Sequence, residues 1–285
     1  MRTLIIGDPH IQDSAIEELS LTFKEVMTYD ADELVCVGDW FDKKYPTPKE
    51  LYFGTQMAKA LLDRYKTVYI IEGNHDKLSA DFNNISYLKF MGINIKEDEW
   101  KHGPNLYGHF FLKESADGFD KFRYGIDDIC NDYDNIFLGH QHSPQMIEPN
   151  AYHIGSLRYV GFGEEANEMK QIVLLNASKI EAINLKSPIN MIDVYSVEEL
   201  ENIPQRTKVR IVFKTFEQFK NEVSLIQKYK EHFHVFKTKL AFEDKQVAVE
   251  QEPKQSLEEI VNKWLDGIED IDVKDILEKE MSNGN

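Results

Sequence analysis

Three short apolar runs open this chain: Leu4-Ile5-Ile6, Leu34-Val35-Cys36-Val37 and Val68-Tyr69-Ile70-Ile71. Between them lie segments whose apolar residues recur at helical spacing. Ser14–Met27 carries Ile16, Leu19, Phe23, Val26 and Met27 on one stripe, and Lys49–Arg64 forms a second helical segment. Strands joined by helical crossovers run parallel, and a parallel sheet needs cover on both faces. Asp81–Met91 is expected to be a third helix. Later strands are expected at Asn105–Leu112, Asn135–Leu138, Tyr152–Ile154, Gln171–Asn176 and Lys179–Asn184, with no helix between the last few. The fold class is therefore α/β: a two-sheet sandwich flanked by helices, over residues 1–187.

The pattern changes around Lys186-Ser187-Pro188. Lys208–Lys214 alternates with period two, Thr215–His232 has helical spacing, and His234–Leu240 is strand-like again. A small α+β domain is expected over 188–242. Residues 243–255 are polar, contain Pro253 and suit a linker. Ser256-Leu257-Glu258-Glu259 is a capping box, and Leu257, Ile260, Val261, Trp264, Leu265 and Ile268 form an amphipathic stripe. A C-terminal helical segment, 256–285, follows from this.

A formal charge of −17 argues against nonspecific coating of nucleic acid. Residues 243–285 supply −8 of it, so a local DNA track on the remainder stays open. No apolar run reaches the ~18 residues of a membrane span. The isolated Cys36 and Cys130, and an N-terminus that enters a strand without a signal peptide, suit a reducing cytoplasm.

The chemistry lies where the strands stop. Asp8-Pro9-His10, Gly38-Asp39-Trp40-Phe41-Asp42, Gly73-Asn74-His75-Asp76 and Gly139-His140-Gln141-His142 each follow an apolar run. In open α/β sheets, ligands sit beyond the carboxyl ends of strands. Singly these are polar turns; four together supply Asp, Asn and His enough for two metal ions. One ion can take Asp8, His10, Asp39 and His142, with the two oxygens of Asp39 bridging to a second held by Asn74 and His140. The second ion lacks a ligand, which must come from between Asp76 and Gly139. His109, following a strand and Gly108, is preferred over His102, which sits in the polar turn Lys101-His102-Gly103-Pro104. Two divalent cations against two carboxylates favour an anionic phosphoester, clamped for in-line attack by an acidified water. His75 is left over and can protonate the leaving oxygen; Asp76 either orients it or caps the next element. The N/O ligand set suits Mn²⁺, Fe or Zn²⁺ better than Ca²⁺, with Mg²⁺ left open.

These motifs, in this order, resemble the calcineurin-like metallophosphoesterases. Phe137 to Gln145, and Tyr152-His153-Ile154-Gly155-Ser156-Leu157-Arg158 running into Phe162-Gly163-Glu164-Glu165 and Lys170, are similar to the SbcD-type DNA nucleases within that superfamily. The resemblance covers residues 1–185. It implies metal ligands at Asp8, His10, Asp39, Asn74, His109, His140 and His142, and proton donation by His75. Many members carry His at the position of Asp42, whereas the bacterial branch has Asp; Asp42 and Arg158 are the candidate substrate contacts. The resemblance further implies Mn²⁺-dependent 3′→5′ exonuclease activity on double strands and endonuclease activity on single strands or hairpins. It implies a homodimer and an SbcC-like coiled-coil ABC ATPase, in a bacterial or phage-infected cell. The dimer is expected through 49–64 and 81–91, and ATPase docking through 256–285. A metallophosphatase or cyclic-nucleotide phosphodiesterase using the same site is the rival enzyme, and a degenerate scaffold the non-enzymatic alternative.

Overall fold

The computed structural model describes residues 1–79, 82–115, 122–162, 164, 169–177 and 179–241. It divides into two compact units. The first is Met1–Asp193 with Pro204–Arg210; the second is Val194–Ile203 with Ile211–Asn285.

The first unit opens with β1 (Arg2–Ile6), α1 (Ile16–Val26), β2 (Glu33–Cys36), α2 (Pro48–Arg64), β3 (Thr67–Ile71) and β4 (Asn94–Lys96). These four strands are parallel neighbours in that order. The burial of every residue of β2 explains its unbroken apolar run: helices cover one face and a second sheet the other. Helix α2 starts one residue before the sequence expectation. Thr47 accepts the Glu50 amide at 3.2 Å, Glu50 Oε2 accepts the Thr47 amide at 2.6 Å, and Pro48 occupies the first turn.

Next come β5 (Glu99–His102), β6 (Asn105–Gly108), β7 (Phe111–Leu112), β8 (Phe122–Tyr124), α3 (Ile126–Ile129), β9 (Asn135–Leu138), β10 (Gln145–Glu148) and β11 (Ala151–His153). The second sheet has the order β10-β11-β9-β6-β5, with β6, β9 and β11 parallel. Strands β12 (Gln171–Asn176) and β13 (Lys179–Asn184) return to the first sheet, which reads β13-β12-β1-β2-β3-β4. Ile5, Val35, Ile71 and Val173 from the first sheet pack with Tyr107, Phe137 and Ile154 from the second. Leu19, Phe23, Phe53 and Leu61 pack α1 and α2 on the outer face of the first sheet. Ile126 and Ile129 of α3 cover the second. The expected two-sheet sandwich flanked by helices is the observed architecture.

The expected helix over Asp81–Met91 is reduced to a 3₁₀ helix at Ser86–Met91, with residues 80–81 outside the described set. Polar side chains compete with helix formation there: Ser86 Oγ bonds Asn83 Oδ1 at 2.7 Å, and Asn84 reaches the carbonyls of Lys43, Lys44 and His75.

Strands β14 (Met191–Val194), β15 (Lys208–Phe213) and β16 (Val235–Leu240) form a three-stranded sheet in that order. In the second unit, Thr215 caps α4 (Phe216–Ile226), shorter than the expected Thr215–His232 because a 3₁₀ turn takes over at Gln227. Phe213 meets Phe219 edge-on at 5.4 Å. The expected linker at 243–255 and helical segment at 256–285 lie outside the described residues. Among the described residues no helix is long and apolar enough to cross a membrane.

Candidate dimetal active site

Five parallel strands from two sheets end at one place. Asp8 and His10 follow β1, Asp39 follows β2, Asn74 and His75 follow β3, His109 follows β6, and His140 and His142 follow β9. Asp8, His10 and His142 bring ligand atoms within 4.8 Å of one another, and so do Asp39, His109 and His140; a third such group, His10, Asp39 and His75, shares a residue with each. Asn74 Oδ1 lies 3.0 Å from His109 Nε2 and joins the second cluster. His102 is elsewhere. It pairs with Glu33 at the start of β2 and stacks on Trp100.

Asp39 lies between the clusters. Its Oδ1 accepts the His75 amide at 2.9 Å. Oδ2 faces both clusters, 3.3 Å from His109 Nε2 and 3.6 Å from His10 Nε2. A cation in either cluster would find Oδ2 within reach, while the His75 amide helps fix the carboxylate.

The backbone bends hard to do this. His10 (φ 45°), Asp39 (φ 45°) and His140 (φ 78°) occupy the left-handed region, where non-glycine residues are uncommon and strain collects at functional sites. Two glycines make room. Gly38 has φ 118°, and a Cβ there would sit 2.1 Å from His109 Nδ1; a Cβ on Gly73 would sit 2.0 Å from Asp39 Oδ1.

The buried charges are arranged for cations. Asp8 is fully buried; Oδ2 accepts the His140 amide at 2.8 Å, while Oδ1 has no hydrogen-bond partner among the described residues. A buried carboxylate oxygen with no donor is costly unless a cation faces it. Burial raises the Asp8 carboxyl above its usual value. Burial acts against charge on His109 too, yet Asp39 and Asp8 outweigh it and push the ring up to about 9. Burial, then His109, takes His140 down to about 4. His109 Nδ1 donates to the Val37 carbonyl at 2.8 Å, leaving Nε2 for the cluster. These residues fit two divalent cations in donor type, burial and orientation.

Residues 1–214 match the calcineurin-like phosphoesterase family. The chain belongs to this family. Calcineurin-like phosphoesterases use a dimetal site to hydrolyse phosphoester bonds, which agrees with two clusters that both approach Asp39. By sequence, no curated protein matches the chain. Similar solved structures include a Vps29 variant from Entamoeba histolytica (17% identity over 65% of this chain and 100% of that one, TM-score 0.38). Others are Yfce, a phosphoesterase from E. coli (15%, 65% and 100%, TM-score 0.38), and Pseudomonas putida nuclease MPE (16%, 64% and 87%, TM-score 0.36).

Around this phosphoesterase site, His75 Nδ1 donates to the Asp42 carbonyl at 2.5 Å, and its ring lies 5.1 Å from that of His10. Asp42 Oδ1 is 3.5 Å from both His10 Nδ1 and Arg158 Nη2. Burial opposes ionisation of Asp42, but His10 and Arg158 hold it below its usual value. Arg158, expected as a substrate contact, is 1% exposed. Its Nε and Nη2 donate to the His10 carbonyl at 3.2 and 2.9 Å, and Nη1 donates to the Tyr159 carbonyl. The guanidinium is spent on holding the strained His10 loop rather than presented to a ligand.

Asp76 takes neither expected role. Fully buried, it accepts the amides of Gly73 (3.0 Å), Trp40 (3.2 Å) and Phe41 (3.4 Å), tying together the loops that carry Asp39 and Asn74. Burial, then Asp39, pushes it up to about 7. His153, part of the segment that carries the resemblance, has no role assigned from sequence. Buried on β11, it donates from Nδ1 to the Gly139 carbonyl at 3.0 Å and accepts Ser115 Oγ at 2.9 Å on Nε2, behind His140. A histidine inside a buried strand was the available signal.

Proposed function

We propose that this phosphoesterase is a DNA nuclease subunit of SbcD type, with 3′→5′ double-strand exonuclease and single-strand or hairpin endonuclease activity. The hydrolytic core of the reading is carried by one observation: two ligand clusters from two sheets converge on Asp39 Oδ2. The nuclease assignment draws on the sequence from Gly155 to Lys170, part of which packs directly behind His142.

Asp8, His10 and His142 would hold one cation, and Asn74, His109 and His140 the other, with Asp39 between. When bound, two divalent cations, Mn²⁺ foremost, clamp a phosphate and acidify a water. The rest falls to the chain. With Nδ1 fixed on the Asp42 carbonyl, the His75 ring presents Nε2 as the donor to a departing alkoxide. Arg158 and Asp76 keep the three loops in register so that donor and ligands face the same volume.

The reading extends to partners. Tyr52 (66% exposed) on α2, with Phe82 (64%) and Phe90 (96%) on the following segment, offer apolar surface for a second copy; Phe53 of the same helix is buried. The stripe through Trp264 in 256–285 would dock an SbcC-like ATPase.

The test is hydrolysis of blunt and hairpin DNA with Mn²⁺, alone and with the cognate ATPase, beside a small chromogenic phosphodiester. DNA cleavage is expected. Turnover of the small substrate with none of DNA under either condition would favour a metallophosphatase or cyclic-nucleotide phosphodiesterase instead. Deleting 256–285 is expected to abolish ATPase co-purification and spare basal activity. Light scattering is expected to give a dimer that Phe90→Asp weakens.

A further inference from the structure

His142 is held from behind by a buried ion pair that the hydrolytic mechanism does not use. Lys170, just before β12, is 2% exposed. Its ammonium donates to the His142 carbonyl at 2.8 Å, to Ser156 Oγ at 3.1 Å and to Glu164 Oε2 at 2.6 Å, an acceptor for each of its three protons. Glu164 is pinned on its other side. Oε1 accepts the amides of Val160 and Gly161, both at 2.8 Å. That same oxygen faces His142 Nδ1 at 3.7 Å, inside ion-pair range and just past a hydrogen bond. The opposite ring nitrogen, Nε2, lies 3.0 Å from His10 Nε2 in the cluster with Asp8. Ser156 closes the grip, its amide donating to the His142 carbonyl at 3.0 Å.

We propose that Glu164 and Lys170 are positioning residues for His142. Glu164 holds the ring with its proton on Nδ1 and Nε2 free toward a cation, while Lys170 fixes both Glu164 and the His142 backbone. The inference rests on the reading of His142 as a metal ligand. His109 shows the same device in this molecule, with its Nδ1 on the Val37 carbonyl. At His142 a carboxylate replaces the carbonyl, and a carboxylate on a ligating imidazole raises its basicity and orders it. A mere surface salt bridge does not bury a lysine against a ligand's carbonyl, and uncompensated burial of either charge would be costly.

The test compares metal binding by the full chain and by Glu164→Gln, which keeps an oxygen for the Val160 and Gly161 amides. Zn²⁺ and Mn²⁺ are titrated against a competing chelator. One of two sites is expected to weaken by about 10–100-fold, with the other within about twofold. Lys170→Met is expected to weaken the same site. Equal wild-type affinity at both sites in Glu164→Gln overturns the inference. So does a loss of metal-free thermal stability with both affinities unchanged, the mark of a structural pair only. Should the variants fail to fold, long-range ¹H–¹⁵N spectra of the Zn²⁺-loaded wild type decide. His142 protonated on Nδ1 and metallated on Nε2 is expected; the reverse overturns it. A wild type that binds no metal overturns the ligand reading, and this inference with it.

Discussion

Asp39 Oδ2 lies 3.3 Å from His109 Nε2, although one residue leaves the first sheet and the other the second. The candidate ligands are therefore split between the layers. His109→Ala is expected to remove one of two bound metals and lower hydrolysis by more than about 100-fold. His102→Ala, its sequence rival, is expected to keep both. Elemental analysis of the purified variants distinguishes them; equal metal content would remove His109 from the ligand set.

His75→Ala is expected to retain both metals and lose cleavage by about 10²–10⁴-fold. The loss should shrink as the leaving group improves, because a p-nitrophenolate departs without a proton. Turnover of substrates graded in leaving-group pKa measures this. A uniform loss across the series would count against proton donation, and a missing metal would make His75 a ligand.

Asp76→Ala strips three buried amides of their acceptor. A destabilisation on the order of 3 kcal/mol is expected from such orphaned donors. Urea unfolding of the metal-free chain measures it, with Asp76→Asn expected to lose less because its one oxygen still accepts. Equal stability of Asp76→Ala and wild type would mean the two loops do not need this staple.

Burial takes His153 down to about 4 from its ordinary 6.5. Between those values the unfolded chain binds a proton that the folded chain refuses, so stability is lost as pH falls from about 6.5 toward 4. The full effect is on the order of 3 kcal/mol. Metal-free unfolding midpoints at pH 7 and pH 5 are expected to lie further apart in wild type than in His153→Asn, which does not titrate. Matching pH slopes would contradict the assignment.

The strand runs and the motifs ending them placed the sandwich and the converging residues because both follow from local patterning. Period and apolarity locate β1 to β3, and the recurrence of a polar motif after four strands, rather than any one of them, marks the converging residues. Three kinds of feature escaped. Asp81–Met91 has helical apolar spacing, but Asn83, Asn84 and Ser86 spend their side chains on turns. Arg158 looked like an anion contact because sequence shows a charge and not its burial. The tautomer supports at Val37, Glu164 and Lys170 depend on contacts between residues distant in sequence or on backbone carbonyls, which carry no residue signature.

A site divided between two sheets acts as a latch on the sandwich. A cation held there would touch loops from both layers and favour the assembled chain, adding stability by mass action, at most about 2.7 kcal/mol when free metal exceeds its dissociation constant a hundredfold. The end of the sandwich where strands of both sheets stop would thus be the part whose opening tracks metal supply. Starvation for metal would loosen the fold at the clusters themselves.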